Sequence, residues 1–171
     1  GVMDEVMERF PSKYIHIGSE ERPKTAWINS EYCQAVFKQL GLKDDVTPNV
    51  IDGKKHTKEE KLQSYFITRM EKYLNSKGRN IIGWDEILEG GLAPNATVMS
   101  WRGVEGGLNA AKAGHNAIMT PNPYAYLDQY QEEPEIAPVT IGGYNTLKKT
   151  YSYNPVPDDA NELVKKQDRK S

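Results

Sequence analysis

The sequence predicts an α/β chain in which parallel strands alternate with helices. Three observations lead there. Four short apolar runs, Tyr14-Ile15-His16-Ile17, Asn80-Ile81-Ile82-Gly83-Trp84, Ala96-Thr97-Val98-Met99-Ser100-Trp101 and Asn116-Ala117-Ile118-Met119-Thr120, have strand character and are bounded by turn-forming residues. Segments with helical periodicity separate most of them, and strand–helix repetition at this pitch argues for right-handed βαβ units. Each run also ends in residues able to do chemistry, as expected at the carboxyl ends of parallel strands, where loops gather functional groups.

The elements follow in order. Val2-Met3, Val6-Met7 and Phe10 recur at helical spacing and run into Pro11, so the chain opens with an amphipathic helix. The first strand is expected at roughly residues 13 to 18, closed by Gly18-Ser19. From Lys24 to Leu40, Trp27, Tyr32, Ala35-Val36 and Leu40 recur at three or four, and Gly41 stands where a C-cap belongs, which predicts one helix of several turns. Residues 43 to 56 have the composition of a surface loop. Thr57 and Glu60 fit a capping box, followed by an apolar stripe of Leu62, Tyr65-Phe66, Met70 and Tyr73-Leu74 that stops before Gly78. The second and third strands come next, then a short helix from about Glu105 to Ala113, the fourth strand, and a stop at Pro121-Asn122-Pro123. Residues 129 to 138 read as loop, Thr140 to Tyr151 as a further short helix, and the tail from Asp158 as a polar helix with a frayed end.

A chain of 171 residues, 37% hydrophobic and 27% charged, has a globular composition and is long enough for one domain with one core. Its 22 basic and 24 acidic residues are interspersed, so no field favours nucleic acid or anionic lipid. The lone Cys33 excludes an internal disulfide and a Cys-rich metal site. His56 and His115 lie in a loop and a turn without an acidic neighbour at ligand spacing, so no metal or other cofactor is expected. No run approaches the length of a membrane span, and the first residues lack a basic region followed by an apolar one.

Glu20 and Glu21 follow the first strand directly. Side chains alternate along extended backbone, so the two carboxylates serve one site only where the chain bends between them. By themselves they are also compatible with a solvated acidic loop. In its wider context, His16-Ile17-Gly18-Ser19-Glu20-Glu21 with Trp27 beyond it resembles the signature His-x-Gly-Gly-Asp-Glu of glycoside hydrolase family 20, the β-N-acetylhexosaminidases. Four more segments resemble that family in the same order: Gly83-Trp84-Asp85-Glu86, Met99 to Gly103, Tyr124 to Asp128, and Tyr151 to Pro155. The resemblance covers nearly the whole chain and implies a partial (β/α)8 barrel, about half of a TIM barrel, corresponding to its fourth to seventh strands.

The resemblance also implies a chemistry. Enzymes of this family are substrate-assisted: the acetamido oxygen of the sugar attacks the anomeric carbon, and the protein supplies an acid and a partner for the acetamide. By resemblance the acid is Glu21 and the acetamide-holding carboxylate is Glu20. Trp84 and Trp101 would wall the pocket, although packing alone also accounts for a Trp at a strand end. Tyr126 resembles the Tyr that bonds the attacking oxygen, Asp128 the carboxylate that grips a sugar hydroxyl, and Tyr153 an aromatic wall where relatives carry Trp. His16 is expected to be a buried strand histidine bonded to a neighbour, and Asp85-Glu86 to be supporting or helix N-terminal groups.

Two expectations follow. One is hydrolysis of terminal non-reducing β-linked N-acetylhexosamine from glycans by a retaining mechanism, in a family often secreted, periplasmic or lysosomal. The departures from the family pattern, Ser19 for Gly and Glu20 for Asp, and the absence of counterparts for the other barrel strands, carry the second: an inactive half-barrel that binds sugar weakly and self-associates. Its open sheet edges would be covered in a homodimer that completes the barrel.

Overall fold

The four apolar runs form four short strands: β1 (Tyr14–His16), β2 (Asn80–Trp84), β3 (Thr97–Ser100) and β4 (Ala117–Met119). The computed structural model describes residues 1–21 and 23–156; the helix expected from Asp158 lies outside them. The chain divides into two units, Gly1–Thr97 and Val98–Ser171.

In the first unit β1 and β2 pair in parallel, with Tyr14 opposite Asn80, Ile15 opposite Ile81 and His16 opposite Ile82. Backbone bonds extend this ladder to both sides, from Asn80 N–H to the Lys13 carbonyl and from Trp84 N–H to the Gly18 carbonyl. The strand expected over residues 13 to 18 is therefore hydrogen-bonded over nearly that length. Arg79 secures its entry. The guanidinium donates to the carbonyls of Met7, Phe10 and Ser12, tying the loop after α1 (Val2–Arg9) to the start of β2.

The helix expected from Lys24 to Leu40 is two helices, α2 (Thr25–Ile28) and α3 (Glu31–Leu40). Ser30 makes the break: its backbone is extended and its hydroxyl accepts the Cys33 N–H, which caps a new helix. Gly41 ends α3 in a left-handed conformation, as expected. Helix α4 (Lys58–Ser76) opens with the expected capping box, Thr57 accepting from Glu60 N–H and Glu60 Oε2 accepting from Thr57 N–H at 2.7 Å.

The buried face of α4 differs from the apolar stripe in the sequence. Glu59, Gln63, Ile67, Glu71 and Leu74 are buried, while Tyr65, Phe66 and Tyr73 are exposed. Two of the polar residues on the buried face have specific backbone partners: Gln63 Nε2 donates to the Glu86 carbonyl at 3.1 Å, and Glu71 accepts the Asn95 N–H. A buried polar side chain bonded in this way satisfies a loop group that would otherwise cost about 1–3 kcal/mol. Ile67, Leu74, Ile81 and Ile87, each at most 1% exposed, form the apolar centre beside these bonds. Truncating one of them to Ala would cost about 2–5 kcal/mol.

His56 also differs from expectation. It is 3% exposed, with Nε2 at 3.1 Å from Asp52 and Nδ1 at 3.5 Å from Glu60, so acidic neighbours do stand four residues to either side. The Asp45 N–H donates to the His56 carbonyl and the Asp45 carboxylate accepts the His56 N–H, which closes the loop and brings them in. Among the described residues no group of His, Cys, Asp and Glu is arranged to hold a metal ion.

In the second unit β3 and β4 pair in parallel, with Val98 opposite Ala117, Met99 opposite Ile118 and Ser100 opposite Met119. Helix α5 (Glu105–Lys112) joins them. Its core is made of small residues, Val98, Ala110, Ala111 and Ala117. Short helices α6 (Asn122–Ala125) and α7 (Leu147–Tyr151) follow. The helix expected from Thr140 thus starts seven residues later, because Gly142 and Gly143 hold left-handed backbone and Thr146 caps α7 by accepting the Lys149 N–H. No helix among the described residues is long and apolar enough to cross a membrane.

Candidate active site

The first unit carries the Glu20-Glu21 pair. At the end of β1 the chain turns through three residues with left-handed backbone, Gly18 (φ 69°), Ser19 (φ 84°) and Glu21 (φ 43°). This is the bend that adjacent carboxylates need. The φ of Gly18 favours glycine, and the Glu20 side chain folds back over it, its Oε2 lying 3.0 Å from where a Cβ on Gly18 would stand. Ser19 holds the same region without glycine's freedom, at a cost of order 1–3 kcal/mol. Ser19 is buried, whereas Glu20 and Glu21 are exposed.

His16 faces this turn. Its Nδ1 accepts the Gly18 N–H at 3.0 Å, and its ring meets the Trp84 ring edge-on at 5.0 Å between centroids. The residue is exposed, Ile15 taking the buried place in β1, which corrects the expectation of a buried histidine. Even so, loss of water around the ring lowers its pKa below the usual 6.5, and the nearby Glu20 charge opposes that shift without reversing it.

Trp84 is half-buried at the end of β2, just before the 3-10 helix Asp85–Leu88. Gly83 lets this helix fold back on the strand: a Cβ on Gly83 would lie 2.5 Å from Ile87 Cγ2. Asp85 and Glu86 open the helix, as the expectation of helix N-terminal groups had it, and are buried. Past the turn, Lys24 Nζ bonds Glu89 Oε2 at 2.9 Å. The pair, about four-fifths buried on both sides, ties the segment after Glu21 to the segment after β2.

The second unit carries the other expected residues. Ser100, fully buried at the end of β3, donates to the Gly103 carbonyl at 2.7 Å and accepts the Gly107 N–H at 3.0 Å. These bonds fix the loop that presents Trp101, whose carbonyl accepts the Asn122 N–H at 2.7 Å. Trp101 and Tyr126 stack nearly parallel, with centroids 6.3 Å apart and planes inclined by 16°. Tyr153 stacks on Tyr124 at 4.8 Å and 15°. Trp101, Tyr126 and Tyr153 are half-buried, and Asp128 is exposed.

Asn145 was not anticipated as part of this arrangement. It is 1% exposed, and its Nδ2 donates to the carbonyls of Tyr124 and Tyr126. Within the expected helix it was one more polar residue. The pair of glycines just before it and Thr146 just after it were the signals of a loop ending in a cap. The pairing of Lys24 with Glu89, 65 residues apart, left no mark in the sequence.

A family model described as glycosyl hydrolase family 20, catalytic domain, matches residues 1–171. A beta-hexosaminidase of Porphyromonas gingivalis is 50% identical over 159 residues, covering 92% of this chain and 19% of that protein. One from Vibrio furnissii is 34% identical over 157 residues, covering 91% and 23%. Among solved structures, the exo beta-N-acetylglucosaminidase of Vibrio harveyi in complex with N-acetylglucosamine superposes with a TM-score of 0.75 at 30% identity, covering 97% of this chain and 24% of that one. The chain thus spans about a fifth to a quarter of the length of these relatives. Its fold is the α/β partial TIM barrel expected from the sequence, with parallel strands alternating with helices. By its sequence over the full length and by its fold, the chain belongs to the catalytic domain of glycosyl hydrolase family 20.

Proposed function

We propose that the chain is the acid-bearing part of a catalytic domain that removes terminal non-reducing β-linked N-acetylhexosamine from glycans by a substrate-assisted, retaining mechanism. In this reading the acetamido carbonyl oxygen attacks the anomeric carbon as the glycosidic bond breaks. Glu21 gives its proton to the departing oxygen. The attack inverts the anomeric carbon and leaves a cyclic oxazolinium, whose positive charge the Glu20 carboxylate offsets while accepting the acetamide N–H. Water, deprotonated by Glu21, then opens the ring with a second inversion, so the configuration is retained. Tyr126 orients the attacking carbonyl by donating its hydroxyl proton, Asp128 accepts from a sugar hydroxyl, and Trp84, Trp101 and Tyr153 offer apolar faces to the ring and the acetamide methyl.

The observation that carries this reading is the turn Gly18–Glu21, whose left-handed residues bend the chain at the strand end just where the two carboxylates follow. A chromogenic β-N-acetylglucosaminide tests it. Glu21→Gln should abolish hydrolysis and leave folding intact, because an exposed carboxylate adds little stability. A residual rate near that of the parent would assign the acid elsewhere.

One observation favours a slower enzyme. The Glu20 carboxylate folds over Gly18, and its extra methylene relative to Asp shifts the group by more than about 1 Å, a displacement that can cost on the order of a hundredfold in rate. Glu20→Asp should therefore raise turnover. A fall would show that the longer side chain suits this turn.

A further inference from the structure

The bond from Gly18 N–H to His16 Nδ1 constrains the protonation state of the ring. A ring nitrogen accepts a hydrogen bond only through a free lone pair, and in the imidazolium ion both nitrogens are donors. The turn as observed thus requires a neutral His16 carrying its proton on Nε2. The turn also needs holding, since Ser19 and Glu21 both occupy backbone that their side chains disfavour. His16 is the side chain that bonds the first amide of this turn.

We propose that His16 is a positioning residue for the carboxylate-bearing turn: its neutral imidazole clasps Gly18 and so holds Glu20 and Glu21 in place, and protonation of the ring releases them. The inference rests on the roles proposed above for Glu20 and Glu21. Trp84 and Ile82 face the ring from β2 and are uncharged. From the turn, among the described residues, Glu20 is the charged group that acts on it, favouring the imidazolium, while desolvation favours the neutral ring and prevails. The sign follows. The unfolded chain takes up the proton near 6.5 and the folded chain only at lower pH, so the clasp is complete above about 6.5 and is lost as pH falls through the lower folded value.

A pair of substitutions separates this role from simple packing. In His16→Asn the Oδ1 atom stands close to the place of Nδ1 and accepts the N–H two residues on, as in an Asx turn, but does not titrate. His16→Leu keeps an apolar side chain and has no acceptor. In the 15N-labelled parent chain, the Gly18 amide resonance should shift in step with titration of the His16 ring nitrogens. In His16→Asn it should show no such step. Glu20→Gln should move the His16 midpoint to lower pH by removing the opposing charge.

Affinity for a thiazoline mimic of the cyclised intermediate supplies the functional readout. In the parent it should fall about tenfold per pH unit below the His16 midpoint, the slope for one linked proton. His16→Asn should lack that step, and His16→Leu should bind weakly at every pH. A Gly18 resonance that ignores the His16 titration, or an acid-side step that persists in His16→Asn, overturns the proposal. If the thiazoline binds no variant at any pH, the hydrolase reading fails, and the Gly18 resonance alone decides whether His16 clasps the turn.

Discussion

The buried amide of Asn145 donates to the Tyr126 carbonyl at 2.9 Å and to the Tyr124 carbonyl at 3.0 Å. Its own backbone N–H bonds the Tyr130 carbonyl at 2.8 Å. One side chain thereby fixes the turn that presents Tyr126, and does so from a position 19 residues later in the chain.

Asn145→Asp should destabilise the protein by about 2–4 kcal/mol, because it replaces two donated bonds with a buried carboxylate facing two carbonyls. Urea denaturation measures this directly. An unchanged midpoint would mean that the turn is held by other contacts.

Tyr126→Phe keeps the stack on Trp101 and removes only the hydroxyl. A bond made mainly in the transition state supplies a few kcal/mol, so kcat should fall roughly tenfold to a thousandfold. If a thiazoline mimic binds the variant as tightly as the parent, the hydroxyl does not hold the attacking oxygen.

Ser19→Gly should stabilise the chain. Releasing a left-handed non-glycine residue gains about 1–2 kcal/mol, and the added freedom of glycine in the unfolded chain takes back about 0.5–1 kcal/mol. A thermal melt should show a rise of a few degrees. A lower Tm would mean that the buried Ser19 hydroxyl contributes more than its backbone costs.

Gly83→Ala should have the opposite sign. The new methyl would lie 2.5 Å from Ile87 Cγ2, and Ile87 is completely buried. Overpacking of this kind costs about 1–3 kcal/mol, and the displaced 3-10 helix should alter the Trp84 fluorescence. Equal stability of the two proteins would show that Ile87 repacks freely.

Much of the fold was legible because the signals are local. The capping box of Thr57 and Glu60, the Gly41 cap and the four apolar strands depend on residues close to one another in sequence, and each appears at its expected place. The motif residues at the strand ends were legible for the same reason, as were the adjacent carboxylates and the need for a bend between them.

What the tertiary structure decided were choices among surfaces. Helix α4 offers an apolar stripe through Tyr65, Phe66 and Tyr73, yet buries the face of Glu59, Gln63, Ile67 and Glu71. Burial follows from what the helix lies against, and there the backbone groups of Glu86 and Asn95 supply partners that make polar residues the better fit. Asn145 beneath Tyr126, Lys24 beside Glu89 and Arg79 against three carbonyls of the N-terminal segment are decided in the same way. Periodicity and capping arise within a few residues of chain and are written in it, whereas a hydrogen bond spanning 19 to 72 residues exists only once the fold has set both ends at bonding distance.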